Sequence, residues 1–249
     1  MSERTVLITG SSRGIGAASA KLFAEQGWGV CLNYVNNRDA AEEVAEAVRS
    51  FDVPCSIVQG DVSQEEDVLR VFEHVDKEFN SLDSLINNAG ILMVQSRLTG
   101  MDAERVNKIL TTNVTSCFLC SREAVKRMST NEGGNGGTIV NVSSIAAKLG
   151  APNEYTDYAA SKGAVDSLTR GLAVEVAAEG IRVNAVRPGV IYTDIHADGG
   201  EPGRVDRVGR MAPMQRGGTA EEVAEAIYWL ASEKSSYSTG TFIDLAGGR

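Results

Sequence analysis

Short apolar runs alternate with longer segments in which apolar residues recur at helical spacing along almost the whole chain. Short apolar runs bounded by turn residues are typical of buried strands, and a period near 3.6 residues is typical of amphipathic helices. The pattern predicts strands over Thr5–Thr9, Val30–Tyr34, Ser56–Val58, Leu82–Asn87, Thr138–Val142, Ile181–Val186 and Thr241–Leu245. It predicts helices over Gly14–Gln26, Asp39–Ser50, Gln64–Phe79, Asp102–Met128, Thr156–Ala178 and Thr219–Ser232.

This alternation of strands and helices predicts an α/β fold with one seven-stranded parallel sheet between two helical layers. No linker, repeat or low-complexity tract divides the 249 residues, so we expect residues 1–249 to form a single doubly wound (Rossmann-type) domain. The glycine-rich stretch Gly133–Gly137 indicates a flexible turn. In such a fold, ligands bind beyond the carboxyl ends of the strands, where the strand order reverses.

The composition narrows the possible partners. The formal net charge is −9 and no run of Lys or Arg is present, so we expect no nucleic-acid partner. No apolar run reaches the ~18 residues of a membrane span, and no charged and apolar secretory signal opens the chain. We therefore expect a cytoplasmic protein with reduced cysteines at positions 31, 55, 117 and 120.

A glycine-rich turn follows the first predicted strand. Thr9 leads into Gly10, Gly14 and Gly16, and a helix follows at once. Gly10 permits a tight turn, Gly14 lets a pyrophosphate approach the backbone, and Gly16 lets the helix pack close to the sheet. The free N–H groups at the helix N-terminus can bind phosphate. An ordinary glycine turn is the alternative, but the position after strand one favours dinucleotide binding.

The glycine spacing and four further motifs resemble the short-chain dehydrogenase/reductase family. The motifs occur in the family's order over essentially the whole chain: Thr9-Gly10-x3-Gly14-Ile15-Gly16, Asn87-Asn88-Ala89-Gly90, Ser143-Ser144, Tyr158-x3-Lys162 and Pro188-Gly189. The resemblance implies hydride transfer between a nicotinamide cofactor and an alcohol or carbonyl substrate.

The segment after the second predicted strand bears on the choice of cofactor. An acidic residue at that point would bind the ribose of NAD, but no acid occurs before Asp39. Arg13 and Arg38 could instead pair with the 2′-phosphate of NADP, although both could also be solvated surface charges. We expect NADP (NADPH) to be preferred, with NAD possible.

The resemblance assigns a larger set of cofactor contacts. Asp61 and Val62 match the family's adenine-contacting pair, and an exposed strand-end Asp is the alternative for Asp61. Asn88 and Gly90 are expected under the ribose, and Pro188, Gly189 and Thr193 beside the nicotinamide. The complete set implied by the resemblance is Gly10, Ser12, Arg13, Gly14, Ile15, Gly16, Asn33, Arg38, Asp61, Val62, Asn88, Ala89, Gly90, Tyr158, Lys162, Pro188, Gly189, Val190, Ile191 and Thr193.

Tyr158 and Lys162 are four residues apart in a predicted helix, so their side chains share one face. A free phenol is too weak a base at neutral pH, but an ammonium at about 4 Å stabilises the phenolate by roughly 4 kcal/mol at an effective dielectric near 20. Tyr158 would then be the general acid/base. A surface Tyr–Lys pair is the alternative. Tyr155 has no matching lysine, because residue 159 is alanine.

Two further polar residues complete the catalytic group that the resemblance implies. Ser144, at the end of the fifth strand, would hold the substrate oxygen, and Ser143 is its rival. The interval from Ser144 to Tyr158 is one residue longer than the commonest family form. Asn113 would mark a local kink whose carbonyl holds a water on Lys162, whereas an exposed polar position is the alternative.

Other interpretations are weaker. Cys117 and Cys120 lie mid-helix without a second ligand pair, so we expect core or interface packing and no metal site. A related enoyl reductase would space Tyr and Lys more widely. A cofactor-sensing binding protein without significant turnover would be expected to lack one of the four catalytic groups, and all four are present here.

The substrate is expected to lie among residues 91–97, 145–155 and 191–214. In the last of these ranges, arginines at positions 204, 207 and 210 are balanced by acids at positions 194, 198, 201 and 206. The sequence does not choose among sugar, acyl-carrier-protein and steroid substrates. Small and apolar residues along the Tyr158 helix, together with the family's habit of pairing this helix and the Asp102–Met128 helix, predict a homotetramer. These stripe residues are Ala160, Ala164, Leu168, Leu172 and Val176.

Overall fold

The computed structural model describes residues 4–249, so Met1–Glu3, part of the N-terminal segment used above to judge targeting, lie outside it. Seven parallel strands form one sheet in the order β3-β2-β1-β4-β5-β6-β7. The strands are β1 (Thr5–Ile8), β2 (Gly29–Tyr34), β3 (Cys55–Gln59), β4 (Ser84–Asn87), β5 (Gly137–Val142), β6 (Ile181–Pro188) and β7 (Phe242–Leu245). This sheet confirms the predicted doubly wound fold.

Helices cover both faces of the sheet. They are α1 (Gly14–Glu25), α2 (Arg38–Arg49), α3 (Glu65–Glu78), α4 (Ala103–Leu110), α5 (Ser116–Met128), α6 (Ala146–Leu149), α7 (Thr156–Glu175), α8 (Ile195–Asp198), α9 (Arg204–Gly209) and α10 (Ala220–Ala231). One apolar core includes Phe23 and Ile227, and a second includes Phe72 and Met128. Successive buried strand residues point into opposite cores, because side chains alternate along a strand: Ile8 belongs to the first core and Leu7 to the second.

Local sequence signals explain where several helices begin. Asn37 caps α2 by accepting a hydrogen bond from the backbone N–H of Ala40. Thr219 and Glu222 form a reciprocal capping box at the start of α10. Strand β1 pairs with β2 on one side and β4 on the other, so the strand order reverses beside β1. The ligand crevice is therefore expected above the carboxyl end of β1.

The structure differs from the prediction at three places. The helix predicted over Asp102–Met128 is broken by a π-helical turn over Thr111–Thr115. The short helices α6, α8 and α9 were not predicted, because four to six residues are too few to show a helical period. The turn at Gly133–Gly137 is present but closely packed: a Cβ on Gly136 would lie 2.6 Å from the carbonyl oxygen of Gly180.

Candidate active site

A cleft of about 800 Å³ runs along the carboxyl edge of the sheet, from the end of β2 to the end of β6. Parallel strands end at the same edge, so residues that follow different strands meet there. The cleft is lined by most of the predicted set: Gly10, Ser12, Arg13, Gly14, Ile15, Asp61, Val62, Asn88, Ala89, Gly90, Ser144, Tyr158, Lys162, Pro188, Gly189, Val190, Ile191 and Thr193. Gly16, Asn33, Arg38 and Asn113 do not line it.

The glycine turn is held by close backbone contacts. Gly10 and Gly14 adopt φ angles of +60° and +55°, a region that side chains strongly disfavour. A Cβ on Gly16 would lie 2.8 Å from the carbonyl oxygen of Gly10 and 2.6 Å from Nδ2 of Asn88. Gly16 therefore serves the close packing of α1 against the turn and lies behind the cleft surface.

Two asparagines support this turn from below. Asn33 is fully buried, and its Oδ1 accepts a hydrogen bond from the N–H of Gly10 at 3.2 Å while its Nδ2 donates to the carbonyl of Gly60 at 2.9 Å. Asn88 donates from Nδ2 to the carbonyls of Thr9 and Gly10, both at 2.9 Å. The structure thus places Asn33 behind the turn, although the sequence analysis had included it among the cofactor contacts.

The catalytic group predicted from the sequence comes together at the middle of the cleft. Lys162 is 4 % exposed and donates from Nζ to the carbonyl of Val142 at 2.8 Å. That Nζ lies 5.6 Å from the centre of the Tyr158 ring. Ser144 follows β5, and its Oγ accepts a hydrogen bond from the N–H of Ala146 at 3.1 Å. All three side chains face one cleft.

The hydroxyl of Ser143 is engaged away from the cleft. Its Oγ lies 2.6 Å from Oδ1 of Asp166 and 3.2 Å from the carbonyl oxygen of Lys162. A single hydroxyl has one proton to donate, and both neighbours are acceptors. This arrangement supports Ser144 as the serine available to a substrate.

Asn113 lies in the middle of the π-helical turn and is fully buried. Its amide joins two segments next to the catalytic group: Oδ1 accepts from the N–H of Ile91 at 2.8 Å, and Nδ2 donates to Oγ of Ser161 at 3.1 Å. Its backbone carbonyl accepts a weak contact from the thiol of Cys117 at 3.4 Å. The helix is thus irregular at Asn113, and the alternative of an exposed polar position is wrong. The role expected for its backbone carbonyl stays a prediction.

The part of the cleft around α6 and α9, called the substrate end below, combines apolar side chains with ion pairs. Leu92, Ile145, Leu149, Tyr155 and Ile195 are among its lining residues. Arg204 of α9 pairs with Glu154 and with Glu201, and its guanidinium lies 4.9 Å from the centre of the Tyr155 ring.

Three acidic residues of the 191–214 segment, Asp198, Glu201 and Asp206, have partners. Arg207 holds the pKa of Glu201 down at about 2. Tyr192 donates from its hydroxyl to Asp206 at 2.7 Å. Among the charges counted in the sequence, Arg204 and Arg207 therefore pair with Glu201, whereas Asp198 pairs with Arg13 of the glycine turn.

His196 lies in the same region and is 9 % exposed. Its Nε2 is 3.1 Å from the carbonyl oxygen of Ile191, and a carbonyl can only accept, so Nε2 carries the proton. Its Nδ1 is buried without a hydrogen-bond partner within residues 4–249. Burial lowers the pKa of His196, with the charge of Arg204 adding to the effect.

The two arginines expected to bind a 2′-phosphate differ in position. Arg13 lines the cleft and forms an ion pair with Asp198 of α8. Arg38 is exposed at the start of α2 and does not line the cleft. The cleft wall next to β2 instead includes Tyr34, Val35, Asn36 and Asn37. These residues directly follow or end a strand, so the rule that ligands bind at strand ends could have identified them.

Comparison with known proteins agrees with this architecture. A family model described as enoyl-(acyl carrier protein) reductase matches residues 10–249. The chain is 58 % identical over 243 residues to the uncharacterized oxidoreductase YgfF of Escherichia coli (strain K12), which covers 98 % of each chain. It is 37 % identical over 246 residues to 3beta-hydroxysteroid dehydrogenase 1 of Eggerthella lenta, covering 98 % of this chain and 93 % of that one.

A solved structure of a short-chain type dehydrogenase/reductase from Mycobacterium marinum superimposes with a TM-score of 0.91. The two share 34 % identity, and the match covers 99 % of this chain and 95 % of that one. The chain belongs to the short-chain dehydrogenase/reductase family. It is therefore an oxidoreductase that acts on alcohol or carbonyl groups, in a family that uses NAD(P) cofactors.

The cysteines, potential metal ligands and helices of this short-chain dehydrogenase/reductase can also be described. Cys117 and Cys120 are both buried, and Cys120 belongs to the second apolar core. Within residues 4–249, no group of three or more potential metal ligands comes together. None of the helices in the same range has the length and apolar character needed to cross a membrane. Val176 is 1 % exposed, so this residue belongs to the core and is not part of an outer stripe.

Proposed function

We propose that this enzyme interconverts an alcohol and a ketone or aldehyde, with Tyr158 as the general acid/base, Ser144 as the ligand of the substrate oxygen, and Lys162 and Asn113 as supporting groups. The observation that carries the proposal is the convergence of Ser144, Tyr158 and Lys162 on one cleft beside the glycine turn. The cleft fits a dinucleotide: its volume of about 800 Å³ suffices, and its glycines leave the backbone open to a pyrophosphate.

Each side chain has a separate task in this mechanism. A bound nicotinamide dinucleotide would donate or accept the hydride. Ser144 would orient the substrate oxygen, and Tyr158 would give a proton to that oxygen or take one from it. Lys162 is buried with its ammonium directed at the Val142 carbonyl, close to the Tyr158 ring, and it would favour the phenolate by Coulomb attraction. Asn113 would hold the kinked helix in place beside Ser161.

We further propose a preference for NADP over NAD. Asn36 and Asn37 line the cleft beyond β2, where an acid would bind the ribose of NAD and repel a 2′-phosphate. Arg13 lines the cleft and would be the cation that binds the 2′-phosphate of NADP. The phosphate would compete with Asp198 for the guanidinium of Arg13. Fluorescence titration should show tighter binding of NADPH than of NADH, with Arg13→Ala removing most of the difference. Equal affinity of the unaltered protein for the two cofactors would rule out the preference.

The substrate end of the cleft suggests an apolar carbonyl compound, because it presents aliphatic and aromatic side chains and its Arg204 is already paired with Glu154. The steroid substrate named for the Eggerthella lenta relative fits this character. A substrate panel should therefore contain cyclic ketones, sugars and 3-oxoacyl thioesters. An activated alkene belongs in the panel as well, since the matching family model is described as an enoyl reductase.

We also propose a cytoplasmic homotetramer. Along α7, Ala160 is exposed, and the Cβ positions of Gly163 and Gly171 meet nothing within 4 Å, so a second helix could approach closely. Phe118 of α5 is 52 % exposed, which adds apolar surface on the other helix of the expected interface. Sedimentation at micromolar concentration should show four chains, and a stable monomer would contradict this proposal.

The decisive experiment for the chemistry is a pair of substitutions. Tyr158→Phe keeps the ring but removes the proton donor, so kcat should fall by about 10²–10⁴-fold while NADPH affinity stays nearly constant. Lys162→Ala should reduce both kcat and cofactor affinity. Tyr228→Phe is the control, because this tyrosine of α10 packs on Phe23 of α1, outside the cleft. Retention of more than about a tenth of the rate in Tyr158→Phe would exclude Tyr158 as the proton donor.

A further inference from the structure

A buried ion pair lies directly behind the catalytic serine. Arg187, near the end of β6, donates to Oδ2 of Asp166 from Nε at 2.9 Å and from Nη2 at 2.7 Å. The two side chains are only 8 % and 7 % exposed. The ring of Phe242 lies 3.9 Å from the guanidinium carbon and covers one face of it.

Stability alone is a weak reason for such a pair. Desolvation of two charges offsets most of their attraction, and apolar side chains of similar volume often replace a buried pair without loss of stability. The pair must therefore be judged by what it holds in place.

The elements joined by this pair are those that carry the catalytic side chains. Asp166 follows Tyr158 and Lys162 at successive four-residue intervals on α7, so all three lie along one helical stripe. Its other carboxylate oxygen, Oδ1, accepts from Ser143 at 2.6 Å, and Ser143 directly precedes Ser144.

Arg187 provides the third connection. It precedes Pro188, whose carbonyl oxygen accepts from the N–H of Ile145 at 2.9 Å and lies 3.5 Å from Oγ of Ser144. The ends of β5 and β6 and the middle of α7 are thus tied together within a few ångströms of the catalytic serine.

We propose that Asp166, Arg187 and Ser143 form a positioning unit that sets Ser144 at the correct distance from Tyr158. The inference rests on the proposed function, in which both hydroxyls must reach one substrate oxygen at hydrogen-bond distance. Ser144 and Tyr158 lie on different elements, β5 and α7, so their separation depends on contacts between those elements. A misplacement of about 1 Å can lower a rate by roughly 100-fold.

Two variants separate positioning from stability. Asp166→Leu combined with Arg187→Met replaces the charges by apolar volume and removes the link to Ser143. We expect a melting temperature close to that of the unaltered protein, an unchanged NADPH dissociation constant, and a kcat roughly 10- to 100-fold lower.

Asp166→Asn should show the opposite pattern. The amide can still bond both Ser143 and Arg187, so kcat should stay within about threefold. The guanidinium keeps only the longer 3.4 Å ion pair with Asp244, so the melting temperature should fall. Glu123→Gln, at a buried carboxylate that pairs with Lys126 and Arg127 of α5, is the control for loss of a buried charge outside the site. It should lower stability without changing kcat.

The possible results are distinct. A double variant that is folded and keeps kcat within about threefold of the unaltered enzyme overturns the positioning unit. If the double variant does not fold, Ser143→Ala takes its place, with the same expected loss of kcat at a retained melting temperature; full activity there also overturns the inference. If the unaltered protein binds NADPH but turns over no carbonyl compound, the proposed function itself is overturned.

Discussion

The two ends of the cleft are built by different means. At the cofactor end, the glycine turn is fixed by backbone contacts, such as the hydrogen bond from the N–H of Ser11 to the carbonyl of Asn33 at 2.9 Å. At the substrate end, the segments around α6 and α8–α9 are joined by side-chain ion pairs, chiefly Arg204 with Glu154 and Glu201. The close backbone contacts of the glycine turn tolerate almost no substitution. The charged residues at the substrate end, in contrast, can be substituted one pair at a time.

This difference indicates how one fold keeps a constant cofactor site while its substrate site varies. The glycine turn has no side chains to alter at Gly10, Gly14 and Gly16, so its shape is determined by the chain path. The substrate end is enclosed by short helices outside the sheet, and their positions depend on which charged residues meet. Substitutions should therefore affect cofactor binding and substrate binding separately.

The largest effect on cofactor binding is expected for Gly16→Ala. The added Cβ would lie 2.8 Å from both the Gly10 carbonyl oxygen and Cα of Ser11, and these are backbone atoms that cannot move aside. Overpacking of this kind costs about 1–3 kcal/mol, so NADPH affinity should fall by roughly 10- to 100-fold if the turn distorts. Isothermal titration calorimetry with NADPH measures the loss.

Gly171→Ala is the matched control for cofactor binding, because its Cβ would meet nothing within 4 Å near the C-terminal end of α7, away from the glycine turn. This variant should bind NADPH as tightly as the unaltered protein, and sedimentation reports separately on any effect at the proposed contact between subunits. If Gly16→Ala binds NADPH as tightly as Gly171→Ala does, close packing does not determine the shape of the turn.

The same contrast explains what could be predicted from the sequence. The strands, the sheet and the glycine turn follow from periodicity and from local motifs, and Tyr158 with Lys162 follows from a spacing of four. The contacts that enclose the substrate could not be predicted, because Arg204 meets a glutamate fifty residues away and Arg13 meets Asp198 across 185 residues. Such pairs depend on the path of two loops, which no local pattern determines.

Asp166 and Asn33 illustrate a second limit. Asp166 continues the Tyr158–Lys162 stripe of α7, so helical spacing could have placed it near the site, but its partner Arg187 comes from strand β6. Asn33 lies at a strand end in the sequence, and only the structure places its side chain under the glycine turn. Sequence patterns thus indicate a neighbourhood more reliably than the direction of a side chain.

An intermediate effect is expected for Arg204→Met at the substrate end. Methionine keeps apolar volume over Tyr155 but leaves Glu154 and Glu201 without this partner. The partly exposed pairs contribute less than buried ones, so we expect KM for the carbonyl to rise by roughly tenfold with little change in NADPH affinity. Steady-state kinetics at saturating NADPH measure the change.

Arg216→Met tests whether any lost arginine would have that effect. Arg216 pairs with Glu222 at the start of α10, and both side chains are nearly half exposed. Exposed pairs of this kind are worth little, so KM should not change. An equal rise of KM in both variants would mean that loss of positive charge, and not closure of the substrate end, is responsible.

The smallest effect concerns pH and again distinguishes the two ends. His196 is buried at the substrate end, and burial lowers its pKa below the usual 6.5. At a pH between the folded-state pKa of His196 and 6.5, this residue binds a proton in the unfolded chain but not in the folded chain. Its contribution to stability is therefore complete above pH 6.5 and is lost as the pH falls through the folded-state pKa. The unfolding free energy, measured by urea denaturation, should therefore decline from pH 7 to pH 5.

His196→Gln keeps a donor for the Ile191 carbonyl without a titrating ring, so the decline in unfolding free energy should become shallower. KM for the carbonyl substrate should also become less dependent on pH in the same range. A decline of the same steepness in His196→Gln would show that other groups set the acid limit and that the substrate end is no more sensitive to pH than the cofactor end.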